Sequence, residues 1–503
     1  MLFKLNGSNP LRQIITFLMV FLSIFNNVFF FNISIFLVSI YLLMIFCFGI
    51  RLSSAKELAY PSLVQCFSFF TVFFMASVLW LFCFDFFEFN ALYFFNQNIQ
   101  ILFLVVASLV CVVSRDFLIS QRILKMEYDF LFLFVVFSGL CLCFADDFLI
   151  FYIAIEIQSL AFYVFASFQR NSEFSTEAGL KYFVFGALFS CFLLLGFSFV
   201  YLIFGSSSFE TLFSLAISKN DDFLFFGLLL ILAVLLFKVG AAPFHIWLCD
   251  VYDGSILSVT LLFAALPKII LFVMMLKILF FSCFFLSDAW STIMLIICLT
   301  SIFIGSISAL YQKRIKRLFA FSTIAHTGFI LLAILAISID SSKALIFYIV
   351  TYAFLTVLLF SLLIFAVTST TNYPKYLANW SAIGANNPIF AYTFGLILFS
   401  IAGIPPLAGF FSKFFVLLAI ISKSYFLTAT IIVLISSLAC FYYLRVLKMI
   451  FFKNNTKTNF WVSSSSRKTS EMVVCSLIIL NVFFFVFPDF LSNFCLVLGI
   501  LLF

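Results

Sequence analysis

The sequence predicts an all-α polytopic membrane protein of about 14–15 transmembrane helices, and three observations carry that reading. Of 503 residues, 65% are hydrophobic and only 9% are Asp, Glu, Lys or Arg, where an ordinary soluble domain is about a quarter charged. Apolar stretches long enough to cross a hydrocarbon core of roughly 30 Å recur along nearly the whole length. Short alternating strands, the mark of a membrane barrel, are missing, so helices have to satisfy the backbone.

The apolar segments run in order at 12–31, 33–50, 61–84, 99–114, 130–145, 147–168, 181–204, 223–248, 257–281, 290–310, 318–338, 343–367, 389–420, 425–452 and 471–487. The first two are parted by little more than Asn32, and a hydrophobic tail, 490–503, follows Pro488 and is expected at the interface. Counting 33–50 as span one, the loops after odd-numbered spans hold fifteen Lys and Arg, from Arg51 and Lys56 through Arg115, Arg170, the Lys313–Arg317 group and Lys375 to Lys468. The opposite loops hold three, Lys219, Lys343 and Lys423. That asymmetry orients the chain and supports the span count. Lys4 and Arg12 put the N-terminus on the basic side, as an additional helix before span one requires.

The net charge of +7 therefore reflects topology, and no nucleic-acid partner is expected. The 13 cysteines form no CxxC pair and read as small hydrophobes. Two histidines are too few for a typical zinc or haem site, and no Gly-rich phosphate loop occurs. Phenylalanine, at 82 residues, is far above ordinary usage. A T-rich coding genome explains it, and organellar genomes are often of that kind. Without an Arg/Ser-rich transit segment or cleavable signal, synthesis inside an organelle or a bacterium is expected.

Seven of the 27 basic residues fall inside apolar runs. Lys181, Lys277, Arg445 and Lys448 lie near span ends, where snorkelling is the simplest expectation. Lys238, Lys268 and Lys413 are deeper, and Glu156 is the one acid deep in an apolar run. A charge at a helix centre costs about 2.5–3.5 kcal/mol on insertion scales. Structural ion pairing is one explanation; the other is proton handling, because a desolvated amine holds its proton less tightly and an adjacent carboxylate restores that hold.

Helix breakers accompany two of these lysines. Lys238 is followed by Gly240 and Pro243, and the segment SIAGIPPLAGFFSKFF places Gly403, Pro405, Pro406 and Gly409 before Lys413. Lys238 and Lys413 are 175 positions apart, and Glu156 and His326 are 170 apart. This spacing reads as an internal duplication of five helices. An odd number of helices per copy inverts one copy relative to the other, and paired broken helices in inverted halves are a transporter signature. The expected organisation is an extra N-terminal helix at 1–32, helices one to three at 33–128, a first repeat at 129–282, a second at 289–452, and a basic loop, last helix and tail at 453–503.

The segments IEIQSLAFYVFASFQRNSEFSTEAGLKYFVFGALFS, LLFKVGAAPFHIWLCDVYDGS, ALPKIILF, IKRLFAFSTIAHTGF and SIAGIPPLAGFFSKFFVL resemble the antiporter-like membrane subunits of respiratory complex I, in the mitochondrial subunit 2 and bacterial subunit N family. The resemblance covers about residues 33–490; the helix at 12–31 departs from the bacterial pattern. It implies fourteen helices, two inverted five-helix repeats, and proton translocation within an NADH:ubiquinone reductase of the mitochondrial inner membrane. Glu156, Lys238, Lys268 and Lys413 match the family's proton-translocating positions, with His245, His326 and Lys181 secondary. Flavin mononucleotide and iron–sulfur clusters are then expected in other subunits and no cofactor or metal in this one. The implied partners are neighbouring antiporter-like chains, supernumerary subunits and phospholipid, cardiolipin above all. The alternatives are a subunit of a cation/proton antiporter, a structural scaffold, and a plastid counterpart.

Overall fold

The computed structural model describes residues 91–121, 123, 126–209, 222–282, 287–366, 375–381, 387–452, 468–484 and 488–501. The segments expected at 12–31, 33–50 and 61–84 lie outside the described residues, as does the basic loop at 453–467.

The described chain is helical nearly throughout. In order come α1 (Ala91–Ser120), α2 (Met126–Cys143), α3 (Phe148–Ala166), α4 (Glu173–Phe204), α5 (Asp222–Val239), α6 (Ile246–Gly254) and α7 (Leu257–Lys277). They are followed by α8 (Ser287–Tyr311), α9 (Ile315–Leu335), α10 (Ile339–Phe365), α11 (Pro388–Ala402), α12 (Ala408–Ser422), α13 (Phe426–Phe452), α14 (Lys468–Phe483) and α15 (Pro488–Ile500). Eight of these, among the described residues, are long and apolar enough to cross a membrane unbroken. The runs expected at 223–248 and 389–420 are each two helices, α5 with α6 and α11 with α12. The element order of α2 to α7, three long helices, a broken one and a long one, recurs in α8 to α13.

Local chemistry sets several boundaries. Ser338 and Ser341 form a reciprocal capping box that starts α10, with bonds of 2.8 and 3.1 Å. Gly205, at φ 69°, ends α4 in the left-handed conformation. The loop before α9 and the loop after α10 are tied together, Ile315 N–H to the Lys375 carbonyl and Leu377 N–H to the Lys313 carbonyl. Residues of the basic loops that are remote in sequence are thereby gathered at one end of the bundle.

Burial divides the helices into an inner set and an outer set. Every residue of α7 is buried, and α9 and α10 are nearly as enclosed. By contrast α4 and α13 expose apolar side chains such as Leu180, Val184, Leu202, Leu434 and Phe441. In a bilayer such faces meet lipid or another membrane chain at no hydrophobic penalty. The tail expected at the interface forms α15, which packs against α10; Gly499 lies against Ser342 near the start of that helix.

The halves of the second broken helix cross closely. A Cβ at Gly409 would overlap the Ser400 carbonyl oxygen, so only glycine permits that approach. Gly395, by contrast, has no atom nearer than 3.5 Å to such a Cβ. Gly409→Ala is therefore expected to cost about 1–3 kcal/mol by overpacking, while Gly395→Ala stays within about 0.5 kcal/mol. Thermal unfolding of the two variants in detergent checks this; equal midpoints would contradict it.

Candidate functional site

The first break begins at Gly240, two residues after Lys238. Gly240 takes φ 80°, and a Cβ there would overlap the Leu248 side chain, so the turn requires glycine. Ala241 and a cis Ala242–Pro243 bond follow before α6 resumes at Ile246. At the break the last helical carbonyls are bonded within the protein. Gly240 N–H reaches the Leu236 and Phe237 carbonyls at 3.0 Å, and the Trp247 indole donates to Phe237 O, also at 3.0 Å.

Lys238 Nζ is buried and has no hydrogen-bond partner among the described residues; it lies 6.0 Å from the centre of the Tyr163 ring. Glu156, on α3, accepts a 3.4 Å bond from the Ser159 hydroxyl on one oxygen, and its other oxygen is buried without a donor among the described residues. No direct ion pair joins Glu156 to Lys238 among the described residues. Each is thus held near the other without being locked to it.

The second break repeats the glycine and proline pattern but places its lysine differently. Gly403 has φ 86°, a cis Pro405–Pro406 bond follows, and α12 starts at Ala408. Lys238 precedes its break, whereas Lys413 lies in the second half-helix and folds back. Its Nζ donates to the Ala402 carbonyl at 2.6 Å and sits 5.4 Å from the Phe329 ring centre. A Cβ at Gly403 would come within 2.9 Å of the Lys413 chain, so the missing side chain makes room for the amine.

Between the breaks the most enclosed helices supply the middle of a polar row. Lys268 on α7 is 3% exposed and donates to the Tyr352 hydroxyl at 3.0 Å. His326 on α9 has Tyr348 Oη 2.7 Å from Nδ1 and Tyr443 Oη 3.4 Å from Nε2. Two small cavities flank these groups. One, of about 20 Å³, is lined by Lys238, Lys268, Gln158, Ser159 and Tyr252 among others. The second, of about 30 Å³, is lined by His326, Tyr348, Tyr352, Thr323 and Ser412 among others. Either has room for a water-sized molecule. The three tyrosines were not singled out by sequence. The available signal was the pair Tyr348 and Tyr352, four residues apart and so on one face of α10.

Two expected residues stand apart from the row. His245 caps α6 with its ring 6.4 Å from Phe321, and it lines neither cavity. Lys181 belongs to an ion-pair cluster at the end of α6. It meets Glu177 at 2.7 Å and Asp250 at 2.9 Å. Asp250 also faces Arg317, and Asp253 pairs with both Arg317 (3.0 Å) and Arg314. The Asp253 carboxylate beside Arg314 holds that guanidinium above its ordinary value. This cluster ties α6 to α4 and to the start of α9. Lys277, expected to snorkel, is 3% exposed and donates to the Cys143 carbonyl at 2.6 Å, capping α2 instead. No group of three His, Cys, Asp or Glu among the described residues converges as a metal would need.

A helical membrane bundle with two interrupted helices and a row of buried amines defines an antiporter-like protein. Residues 145–441 match the family described as NADH:quinone oxidoreductase/Mrp antiporter, and the chain belongs to that family. It is 37% identical over 333 residues to the NADH-quinone oxidoreductase subunit N of Pelagibacter ubique, covering 66% of this chain and 70% of that one. It is 36% identical over 342 residues to the NADH-ubiquinone oxidoreductase chain 2 of Marchantia polymorpha, covering 67% and 69%. Among solved structures, a chain of respiratory complex I from Thermus thermophilus superposes with a TM-score of 0.76 at 23% identity, covering 92% of this chain and 99% of that one. A chain of the Mrp complex from Dietzia gives 0.79 at 18% identity, covering 93% and 96%. These two superpositions describe a shared fold.

The charge cluster yields a direct contrast. Asp253→Asn, which removes the negative charge paired with two guanidinium groups, is expected to cost about 1–3 kcal/mol. Glu177→Gln breaks a pair whose side chains are 41% and 59% exposed, and is expected to cost under about 1 kcal/mol. Amide exchange in α6 should quicken in the first variant and not in the second.

Proposed function

We propose that this chain is the antiporter-like, proton-translocating membrane subunit of an NADH:quinone oxidoreductase, equivalent to subunit 2 or N. The observation that carries the proposal is the row formed by Lys238 and Lys268 on one cavity, His326 on the other and Lys413 folded back on the second helix break. Family membership and the names of the relatives support it.

In this reading Glu156 controls the charge of Lys238. At an effective dielectric constant near 20, two unit charges attract by about 4 kcal/mol at 4 Å and about 2 kcal/mol at 8 Å. Moving a charge across the membrane takes about 2.3 kcal/mol per 100 mV. A carboxylate shift of a few ångströms therefore supplies energy of the required size. The proton released by Lys238 passes to Lys268, then to His326 and Lys413, and leaves on the far side. Lys181 lies towards the entry, and His245 lends a second polar group at the break. Residues 129–282 and 289–452 act as the two inverted repeats, a division supported by their matching element order.

The electron-transfer chemistry of the enzyme, with flavin mononucleotide and iron–sulfur clusters, belongs to other subunits. Neighbouring antiporter-like chains and supernumerary subunits cover the exposed apolar faces. Phospholipid, cardiolipin in particular, lies at the basic end formed by Lys313, Arg314 and Lys375. The membrane is the mitochondrial inner membrane, with the gene in the organelle, a location supported by the 82 phenylalanines. The likeness to the Mrp complex favours one second reading, a cation/proton antiporter subunit without redox coupling. Co-purification with NADH-oxidising activity separates the two.

Lys238→Met and Glu156→Gln are the direct tests, in the assembled complex reconstituted into vesicles. Loss of about 2 kcal/mol of coupling changes a proton equilibrium roughly 30-fold. Protons translocated per NADH are expected to fall well below wild type in both variants while assembly is retained. Unchanged pumping in both would overturn the proposal.

A further inference from the structure

The two cavities do not share an amine. Lys238 and Lys268 line the first, and His326 and Ser412 line the second. The group that reaches from one to the other is Tyr352. Its hydroxyl accepts the 3.0 Å bond from Lys268, while its ring lines the second cavity and lies 5.7 Å, centre to centre, from the His326 ring. The Lys268 amine also sits 5.2 Å from the centre of the Tyr352 ring, so the phenol is wedged between the lysine and the histidine.

We propose that Tyr352 is the proton-passing link between the two halves of the row, an inference that rests on the proton-translocating reading above. The chemistry of the three groups fits that order. An ammonium only donates, a phenol hydroxyl donates and accepts at once, and an imidazole takes up a proton at one nitrogen while the other stays bonded. In the step, an N–H bond of the Lys268 ammonium breaks and a new O–H bond forms at the Tyr352 oxygen. The hydroxyl's former proton leaves into the second cavity and ends on His326. Lysine becomes neutral, imidazole becomes a cation, and the phenol is neutral before and after. Tyr348 and Tyr443, already placed at Nδ1 and Nε2 of His326, then accept from its two N–H groups. Tyr348 and Tyr443 thus act as positioning residues, which fix the ring edge presented to the cavity.

A purely structural Tyr352 would serve only to satisfy the buried amine. The test compares Tyr352→Phe, Tyr352→Gln and Tyr352→His with Lys268→Met in the assembled complex, reading protons translocated per NADH. Phenylalanine removes the hydroxyl and glutamine offers an acceptor without passing a proton, whereas histidine can do both. The expected result is that Phe and Gln lower the ratio as far as Lys268→Met does and that His restores part of it. The inference is overturned if Phe or Gln pumps at the wild-type ratio, or if His does no better than both, while Lys268→Met still lowers it. If Lys268→Met itself pumps normally, the proton-translocating reading fails and Tyr352 falls with it. Should the Phe variant not assemble, the Gln and His variants decide the matter alone.

Discussion

An amine buried within a membrane-embedded bundle needs a partner, and what partner it receives decides whether its charge is fixed. At the basic end of the bundle, Asp250 and Asp253 engage Lys181, Arg314 and Arg317 in multiple ion pairs. Such charges stay charged, because breaking one leaves an uncompensated ion behind. At depth the partners are neutral and single: a phenol for Lys268, a backbone carbonyl for Lys413. Lys238 has no hydrogen-bond partner among the described residues. A neutral partner accepts a bond from the protonated amine but does not repay its full desolvation, so the charge is held weakly. The fold thus separates ion-paired cations from amines with a neutral partner or none among the described residues.

The architecture follows from that separation. The most enclosed helices, α7, α9 and α10, carry Lys268, His326 and the tyrosines between them. The two broken helices bring Lys238 and Lys413 to either end of this core. Each break is built on a glycine in the left-handed region, with a buried amine before the first break and after the second. Trp247 and the Gly240 and Ala241 N–H groups bond the last carbonyls before the first break. The ion-pair cluster then anchors α6 to α4 and α9, which fixes the far side of the same break.

Much of this was legible in the sequence. Apolar length gave the helices, because in hydrocarbon no other backbone arrangement satisfies itself. Gly240 with Pro243, and Gly403 with the following prolines, marked both breaks, and Lys238, Lys268 and Lys413 declared themselves by cost. Other features depend on contacts that no local pattern carries. The partners of Asp250 and Asp253 in the charge cluster lie 61 to 69 residues away from them. Lys277 looked free to snorkel because its acceptor, the Cys143 carbonyl, is 134 residues away. The tyrosines escaped notice because, in a chain so rich in aromatic residues, a phenol on a buried helix gives no signal until a lysine and a histidine are found beside it.

The central claim is that the deep amines exchange protons during turnover. Infrared difference spectroscopy with ¹⁵N-labelled lysine reads this directly, comparing the resting complex with the complex under steady NADH oxidation in energised vesicles. Bands that appear for neutral amine during turnover and disappear in the Lys268→Met complex are the result this account requires. Lysine signals that remain those of ammonium in every state would contradict it.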